Sequence, residues 1–263
     1  MSMLSSPVLL AFGVTLAAGL ATVIGAVFVA RAERANPRLL PLALAFAGGA
    51  MVYVSLVEIL PKGVGATSEA MGDSLGYAVG TLAFFGGVGL LLLLERLVPN
   101  PHPDTHPHSD AERQHLARLS LLTAAAITAH NLPEGLATFF ATLESPTLGA
   151  PLAIAIALHN IPEGVSIAVP VFYATGSRAK AVLAALLSGL AEPLGAAVGF
   201  LILGPFLSPL TLGITFAVIA GAMVFLALDE LLPSAQRHAK GHDTAYAMVG
   251  GMAMLATSLV LFR

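Results

Sequence analysis

The chain has 263 residues, of which 57% are hydrophobic and 10% are charged, and its formal net charge is −3. Soluble domains are roughly 45–50% apolar and about 25% charged, so this composition excludes an ordinary soluble domain and indicates a membrane protein with several spans. The sequence contains no cysteine, which excludes disulfides and thiolate metal sites.

Eight apolar runs in the sequence are about as long as the ~20 residues that cross roughly 30 Å of hydrocarbon. They lie near residues 7–30, 40–60, 76–97, 118–143, 149–172, 180–203, 209–232 and 244–262. The runs are continuously apolar rather than alternating, which favours a helix bundle over a β-barrel. We therefore predict an all-α integral membrane protein with eight transmembrane helices in a single domain over residues 1–263.

The basic residues are concentrated in alternate loops, and this predicts the orientation of the chain. The sequence has 12 Lys and Arg residues, and all except Lys62 and Arg263 flank the loops that follow the first, third, fifth and seventh runs. Under the positive-inside rule these loops are cytoplasmic, so both termini are extracytoplasmic and the protein lies in the inner (plasma) membrane. Because Met1–Ser6 carries no basic residue, we expect no cleaved leader.

The second and seventh runs share a sequence pattern. Gly49–Pro61 aligns with Gly221–Pro233, and the identical positions include Glu58 and Glu230. The two runs cross the membrane in opposite directions, so the repeat implies inverted topology about an axis in the membrane plane. Inverted repeats around a midplane site are typical of transporters.

The connection between the third and fourth runs, residues 98–117, is polar and is the longest in the chain. It contains four histidines: His102, His106, His108 and His115. We predict a flexible cytoplasmic loop. Its histidines could bind a transition metal weakly, and the alternative is a solvated linker without a ligand.

The fourth and fifth runs each contain the motif His-Asn-Leu/Ile-Pro-Glu-Gly, at His130–Gly135 and His159–Gly164. A His and a Glu four residues apart lie on one helical face. Ionisable residues inside a membrane are costly and usually functional, so the two motifs predict a metal site. The leading ligands are His130, Glu134, His159 and Glu163. The glycine that ends each motif allows another helix or an ion to approach closely.

Imidazole nitrogens and carboxylate oxygens suit Zn²⁺ and also Fe²⁺, Mn²⁺ or Co²⁺, whereas Ca²⁺ and Mg²⁺ prefer shells made only of oxygen. Asn131 and Asn160 project about 100° away from the neighbouring His, with each Glu between them. The two glutamates could therefore bridge to a second ion, and Glu192 in the sixth run would complete that position. Its oxygen-rich ligands favour Fe²⁺ or Mn²⁺.

Buried polar residues of these types also occur in proteins that are not transporters. Buried polar side chains can simply join membrane helices, but two His, two Asn and three Glu at one depth exceed what packing needs. An intramembrane zinc protease would contain His-Glu-x-x-His, which is absent from the sequence, and a di-metal oxidase would need more His ligands. A sensor would need a soluble output domain. We therefore predict a transporter and not an enzyme.

At the twin motifs the chain resembles the ZIP family of zinc and iron transporters. The resemblance spans nearly all eight helices and implies a fold in which helices 1–3 and 6–8 are related by pseudosymmetry around helices 4 and 5. It implies uptake of divalent metal ions into the cytoplasm by alternating access, in a homodimer within the lipid bilayer and with no nucleic-acid partner. It places a first metal position on His130, Glu134, His159 and Glu163. It places a second on Asn131, Glu134, Asn160, Glu163 and Glu192.

Overall fold

The structure is a computed structural model that describes residues 5–31, 38–97, 128, 131–239 and 241–262. Throughout these residues the regular structure is helical, and it forms eight segments that we number in chain order. They are α1 (Ser6–Arg31), α2 (Leu39–Met71), α3 (Asp73–Leu97), α4 (131–144), α5 (Pro146–Thr175), α6 (Arg178–Phe206), α7 (Pro209–Arg237) and α8 (Asp243–Phe262).

Seven of these helices, all except α4, contain a stretch that is long and apolar enough to cross a membrane. The prediction of an all-helical membrane protein is therefore confirmed. The remaining predicted span, near 118–143, is described at residue 128 and from 131 onward, where it is helical. The predicted loop at 98–117 lies outside the described residues.

Helix α2 extends beyond the predicted second span. It continues past residue 60 to Met71, and α3 begins at Asp73, so a single glycine separates the two helices. The extra segment stays helical although it contains Pro61, Gly63 and Gly65. Gly72 has a φ of +84°, which only glycine adopts readily, and this turn reverses the chain.

Helices α2 and α7 carry the same backbone irregularity at matching positions. Ser55–Ile59 in α2 and Ala227–Leu231 in α7 are π-helical, and each segment contains the glutamate that the sequence repeat shares. Both glutamates, Glu58 and Glu230, are buried. Segments of π-helix are rare and often lie close to functional sites. The repeat in the sequence is thus accompanied by a repeat in backbone geometry.

Close backbone contacts bring α1 and α6 against the two motif helices. A β-carbon on Gly135 of α4 would lie 2.0 Å from the carbonyl oxygen of Glu192 in α6. A β-carbon on Gly164 of α5 would lie 1.8 Å from the carbonyl oxygen of Thr22 in α1. Only glycine permits these approaches, so the predicted role of the two motif glycines in close helix contact is confirmed.

An aromatic cluster holds α4 in place beside the motif residues. The ring of Phe139 lies 4.7 Å from that of Phe12 in α1, 5.4 Å from Phe140 and 5.5 Å from Phe200 in α6, measured between centroids. Phe139 and Phe140 are fully buried. Since aromatic pairs at these separations contribute beyond simple burial, the cluster makes the α1–α4–α6 contact well defined.

Candidate metal centre

Six of the seven predicted ligands lie in the described part of the chain, and all six are buried. They are Asn131 and Glu134 on α4, His159, Asn160 and Glu163 on α5, and Glu192 on α6. The seventh, His130, lies outside the described residues. Helices α4, α5 and α6 therefore bring together side chains that are as far as 61 positions apart in the sequence (192 − 131).

Glu134, His159 and Glu163 form the core of the cluster. Each offers one ligand atom, and the three atoms lie within 4.8 Å of one another. The Nε2 atom of His159 is 3.1 Å from Oε1 of Glu134. Ligand atoms bound tetrahedrally at 2.0–2.2 Å from one ion are separated by about 3.4 Å, so a small contraction would let all three contact the same ion.

The polar atoms of this cluster are buried and largely lack hydrogen-bond partners. Both carboxylate oxygens of Glu134 and Glu163 and both ring nitrogens of His159 have none among the described residues, because the His159–Glu134 contact does not have hydrogen-bond geometry. Each such atom costs about 1–3 kcal/mol when it is buried without a partner. Six of them in one place indicate a site that binds a ligand with several coordination bonds.

Carboxylate charge is concentrated here. Glu163 interacts electrostatically with both Glu134 and Glu192, and Glu192 also interacts with Glu134. Like charges repel strongly where the dielectric constant is low. A divalent cation among the three carboxylates would attract each of them and so offset this repulsion. The chemistry of the donors therefore fits a transition metal ion.

The two asparagines are held in one orientation each. The Nδ2 atom of Asn131 donates to the carbonyl oxygen of Ser188, at 3.0 Å, and to the Ser188 hydroxyl, at 3.1 Å. The Nδ2 atom of Asn160 donates to the carbonyl oxygen of Ala18, at 2.8 Å, and to Oε1 of Glu192. A main-chain carbonyl only accepts hydrogen bonds, so the amide nitrogen must be the atom that faces it.

The amide nitrogen of each asparagine faces these acceptors, so the carboxamide oxygen points away from them. The Oδ1 atoms of Asn131 and Asn160 are buried and have no hydrogen-bond partner in the described structure. They resemble the glutamate oxygens in this respect. Two oriented amide oxygens thus accompany the Glu134–His159–Glu163 cluster.

Helix α6 is interrupted at Leu190, between Arg178–Gly189 and Ala191–Leu203. Pro193 explains the interruption, because it lacks the N–H group that the carbonyl of Gly189 would accept in a regular helix. The irregularity lies between Ser188 and Glu192, the two α6 residues that contact the asparagines.

Sequence analysis missed Ser188 and Ala18. Ser188 lies four residues before Glu192, the same spacing as His and Glu in the motifs, and this periodicity could have identified it. Ala18 contributes a main-chain carbonyl, for which side-chain identity gives no signal. Glu58, the acid of the α2 repeat, instead pairs with Lys62, with 2.9 Å between Oε1 and Nζ.

Nearly the whole chain is similar to known proteins. A family model described as ZIP Zinc transporter matches residues 5–120 and 100–258. The Zinc transporter ZupT of Stenotrophomonas maltophilia (strain K279a) is 59% identical over 258 residues, covering 97% of this chain and 96% of the relative. That of Neisseria meningitidis serogroup B (strain ATCC BAA-335 / MC58) is 58% identical over 257 residues, covering 96% of each. That of Lysinibacillus sphaericus (strain C3-41) is 48% identical over 263 residues, covering 97% and 98%.

Proposed function

Since the chain belongs to the ZIP zinc transporter family, we propose that it carries Zn²⁺ through the inner membrane into the cytoplasm by way of the buried Glu134–His159–Glu163 cluster. It is a multi-pass membrane transporter and not an enzyme. The observation that carries the proposal is the set of buried, unpartnered ligand atoms within helices that are long and apolar enough to span the membrane.

We propose two metal positions that share Glu134 and Glu163. The first adds His130 and His159, and it suits Zn²⁺ because imidazole and carboxylate are preferred zinc ligands. His130 precedes Asn131 directly and lies four residues before Glu134, so a helical continuation would put it on the face of Glu134. The second adds Asn131, Asn160 and Glu192, and the oriented amide oxygens support it.

We further propose that Fe²⁺, Mn²⁺ and Co²⁺ can also be carried. The second position offers mainly oxygen ligands, which suit Fe²⁺ and Mn²⁺ better than a nitrogen-rich site does. Three carboxylates against two divalent ions leave the pair at about +1, so the second ion is held more weakly than the first. Weak binding permits release, which transport requires.

Alternating access by the two inverted repeats is the mechanism we propose. Helices α1–α3 and α6–α8 are the two repeats, and α4 and α5 lie between them. The aligned segments Gly49–Pro61 and Gly221–Pro233, with their matching π-helical turns, support this relation. The positions of the basic residues support extracytoplasmic termini. The homodimer is proposed from the family resemblance alone.

Uptake of radiolabelled Zn²⁺ into proteoliposomes that contain the purified protein tests this function. We expect saturable uptake by the wild type and its loss in Glu163→Ala, because that variant removes a ligand shared by both positions. Glu69→Ala is the matched control, since Glu69 is an exposed helical carboxylate, and it should retain uptake. A wild type that binds Zn²⁺ but moves none, or a Glu163→Ala variant with unchanged uptake, would overturn the proposal.

A further inference from the structure

We propose that Ser188 of α6 is a positioning residue for metal selectivity, which holds the Asn131 carboxamide in one orientation beside the buried cluster. The inference rests on the second metal position of the proposed function, to which Asn131 would contribute its carboxamide oxygen. Ser188 does not bind the metal in this proposal. It acts through Asn131.

The contact geometry fixes what Asn131 can present. Ser188 is fully buried, and its carbonyl and hydroxyl oxygens both accept from the Nδ2 atom of Asn131. The carbonyl cannot donate, so a flipped carboxamide would set two acceptor oxygens against each other on the Ser188 side. The observed orientation instead leaves Oδ1 buried and without a hydrogen-bond partner in the described residues.

The Ser188 hydroxyl is used differently from several other buried helical hydroxyls in the described residues. Thr15, Ser55 and Thr142 each donate to the carbonyl four residues earlier in their own helix. This is the usual local arrangement for Ser and Thr within helices. The Ser188 hydroxyl instead accepts a hydrogen bond from α4. The Ser188 hydroxyl therefore joins α6 to α4 at the site.

Helix α6 holds both asparagines through one face. Ser188 and Glu192 are four residues apart, and each gives a side-chain oxygen to one carboxamide, Asn131 and Asn160 respectively. Each asparagine also donates to one main-chain carbonyl, which would keep part of the orientation if the side-chain acceptor were removed. Loss of the Ser188 hydroxyl should therefore loosen Asn131 without releasing it.

Competition between metals during Zn²⁺ uptake into proteoliposomes tests this role. In Ser188→Ala we expect the Mn²⁺ concentration that halves Zn²⁺ uptake to change about three- to tenfold, the effect of one neutral hydrogen bond. The maximal rate of Zn²⁺ uptake should stay within about twofold, because the first metal position is intact. Ser188→Thr retains the hydroxyl and should keep the wild-type competition profile. Ser55→Ala removes a buried helical hydroxyl outside the cluster and should also keep it.

A double variant separates positioning from a general effect on packing. If Ser188 acts only through Asn131, the Mn²⁺ concentration that halves Zn²⁺ uptake will be the same in Asn131→Ala/Ser188→Ala as in Asn131→Ala alone. The inference is overturned if the Ser188→Ala shift persists when Asn131 is already alanine. It is also overturned if Asn131→Ala alters Mn²⁺ competition and Ser188→Ala does not.

The experiments distinguish failure of this inference from failure of the proposed function. An Asn131→Ala variant with wild-type competition would overturn the second metal position together with this inference, while Zn²⁺ uptake and its loss in Glu163→Ala would still support transport. Absence of wild-type uptake would instead overturn transport itself. Thermal unfolding of each purified variant confirms that the compared proteins are folded.

Discussion

Asn160 on α5 donates an amide hydrogen to Oε1 of Glu192 on α6, and both side chains are fully buried. The second amide hydrogen goes to the carbonyl of Ala18 on α1. One asparagine thus joins three helices, and the direction of its oxygen depends on a carboxylate that is itself a proposed ligand. Charge and orientation at this position can be separated by substitution.

Glu192→Gln keeps an oxygen that can accept from Asn160 but removes the charge, whereas Glu192→Ala removes both. A hydrogen bond to a charged group contributes about 1.5–3 kcal/mol, so we expect Glu192→Ala to weaken competition by Mn²⁺ about ten- to hundredfold. The strength of Mn²⁺ competition in Glu192→Gln should lie between that in Glu192→Ala and that in the wild type. The measurement is inhibition of Zn²⁺ uptake by Mn²⁺, with the exposed Glu144→Gln as the control. Wild-type competition in both Glu192 variants would contradict the role of Glu192 at the second position.

The motif glycines should tolerate no side chain. Gly135→Ala and Gly164→Ala would each place a β-carbon within 2.0 Å of a carbonyl oxygen of the adjacent helix, far inside van der Waals contact, so the helices must separate. Overpacking of this kind costs about 1–3 kcal/mol or more. We expect a lower midpoint of thermal unfolding for both purified variants and loss of Zn²⁺ uptake, because the separation also displaces the ligands.

Gly86→Ala on α3 is the matched control, because nothing lies within 4 Å of the position that its β-carbon would occupy. Alanine is about 1 kcal/mol more favourable than glycine within a helix, so this variant should unfold at the same or a higher temperature. Equal midpoints for Gly135→Ala and Gly86→Ala would show that the close contact of α4 with α6 is not required.

The Glu58–Lys62 pair should stabilise the π-helical part of α2. Glu58 is 5% exposed and Lys62 is 19% exposed, so removing the lysine leaves a nearly buried carboxylate without its closest cation. Allowing for the partial exposure of Lys62, we expect Lys62→Ala to lower the free energy of unfolding by about 1–2 kcal/mol. Glu58→Gln/Lys62→Ala should recover part of this loss, as measured by thermal unfolding in detergent. A double variant less stable than Lys62→Ala would contradict the pairing.

Several features of the fold were predictable because they depend on local periodicity. Apolar runs long enough for a membrane predicted the helices, and the spacing of His159 and Glu163 predicted that they share a face. The predicted span near 40–60 did not indicate where α2 ends, since hydropathy falls after residue 60 while the helix continues to Met71. Hydropathy measures how favourably a segment transfers from water into lipid. Helix ends depend instead on backbone hydrogen bonds and on glycines such as Gly72. The roles of His130 and of the loop at 98–117 stay predictions.

The π-helical turns could not be predicted in the same way. The repeat between Gly49–Pro61 and Gly221–Pro233 predicted that the two segments would be alike, and both contain a π-helical turn. Which irregularity they share depends on how each backbone packs against the opposite helix, and a sequence pattern does not contain that information.

By itself, the sequence determined which chemical groups this protein has inside its membrane helices and which of them share a helical face, because the helical period is a property of the local chain. Tertiary structure alone decided which atoms of different helices meet. Asn131 reaches Ser188, and Asn160 reaches Ala18 and Glu192, because glycine contacts let the helix backbones pack closely together. Those contacts orient the amide oxygens, and no single segment of the sequence encodes them.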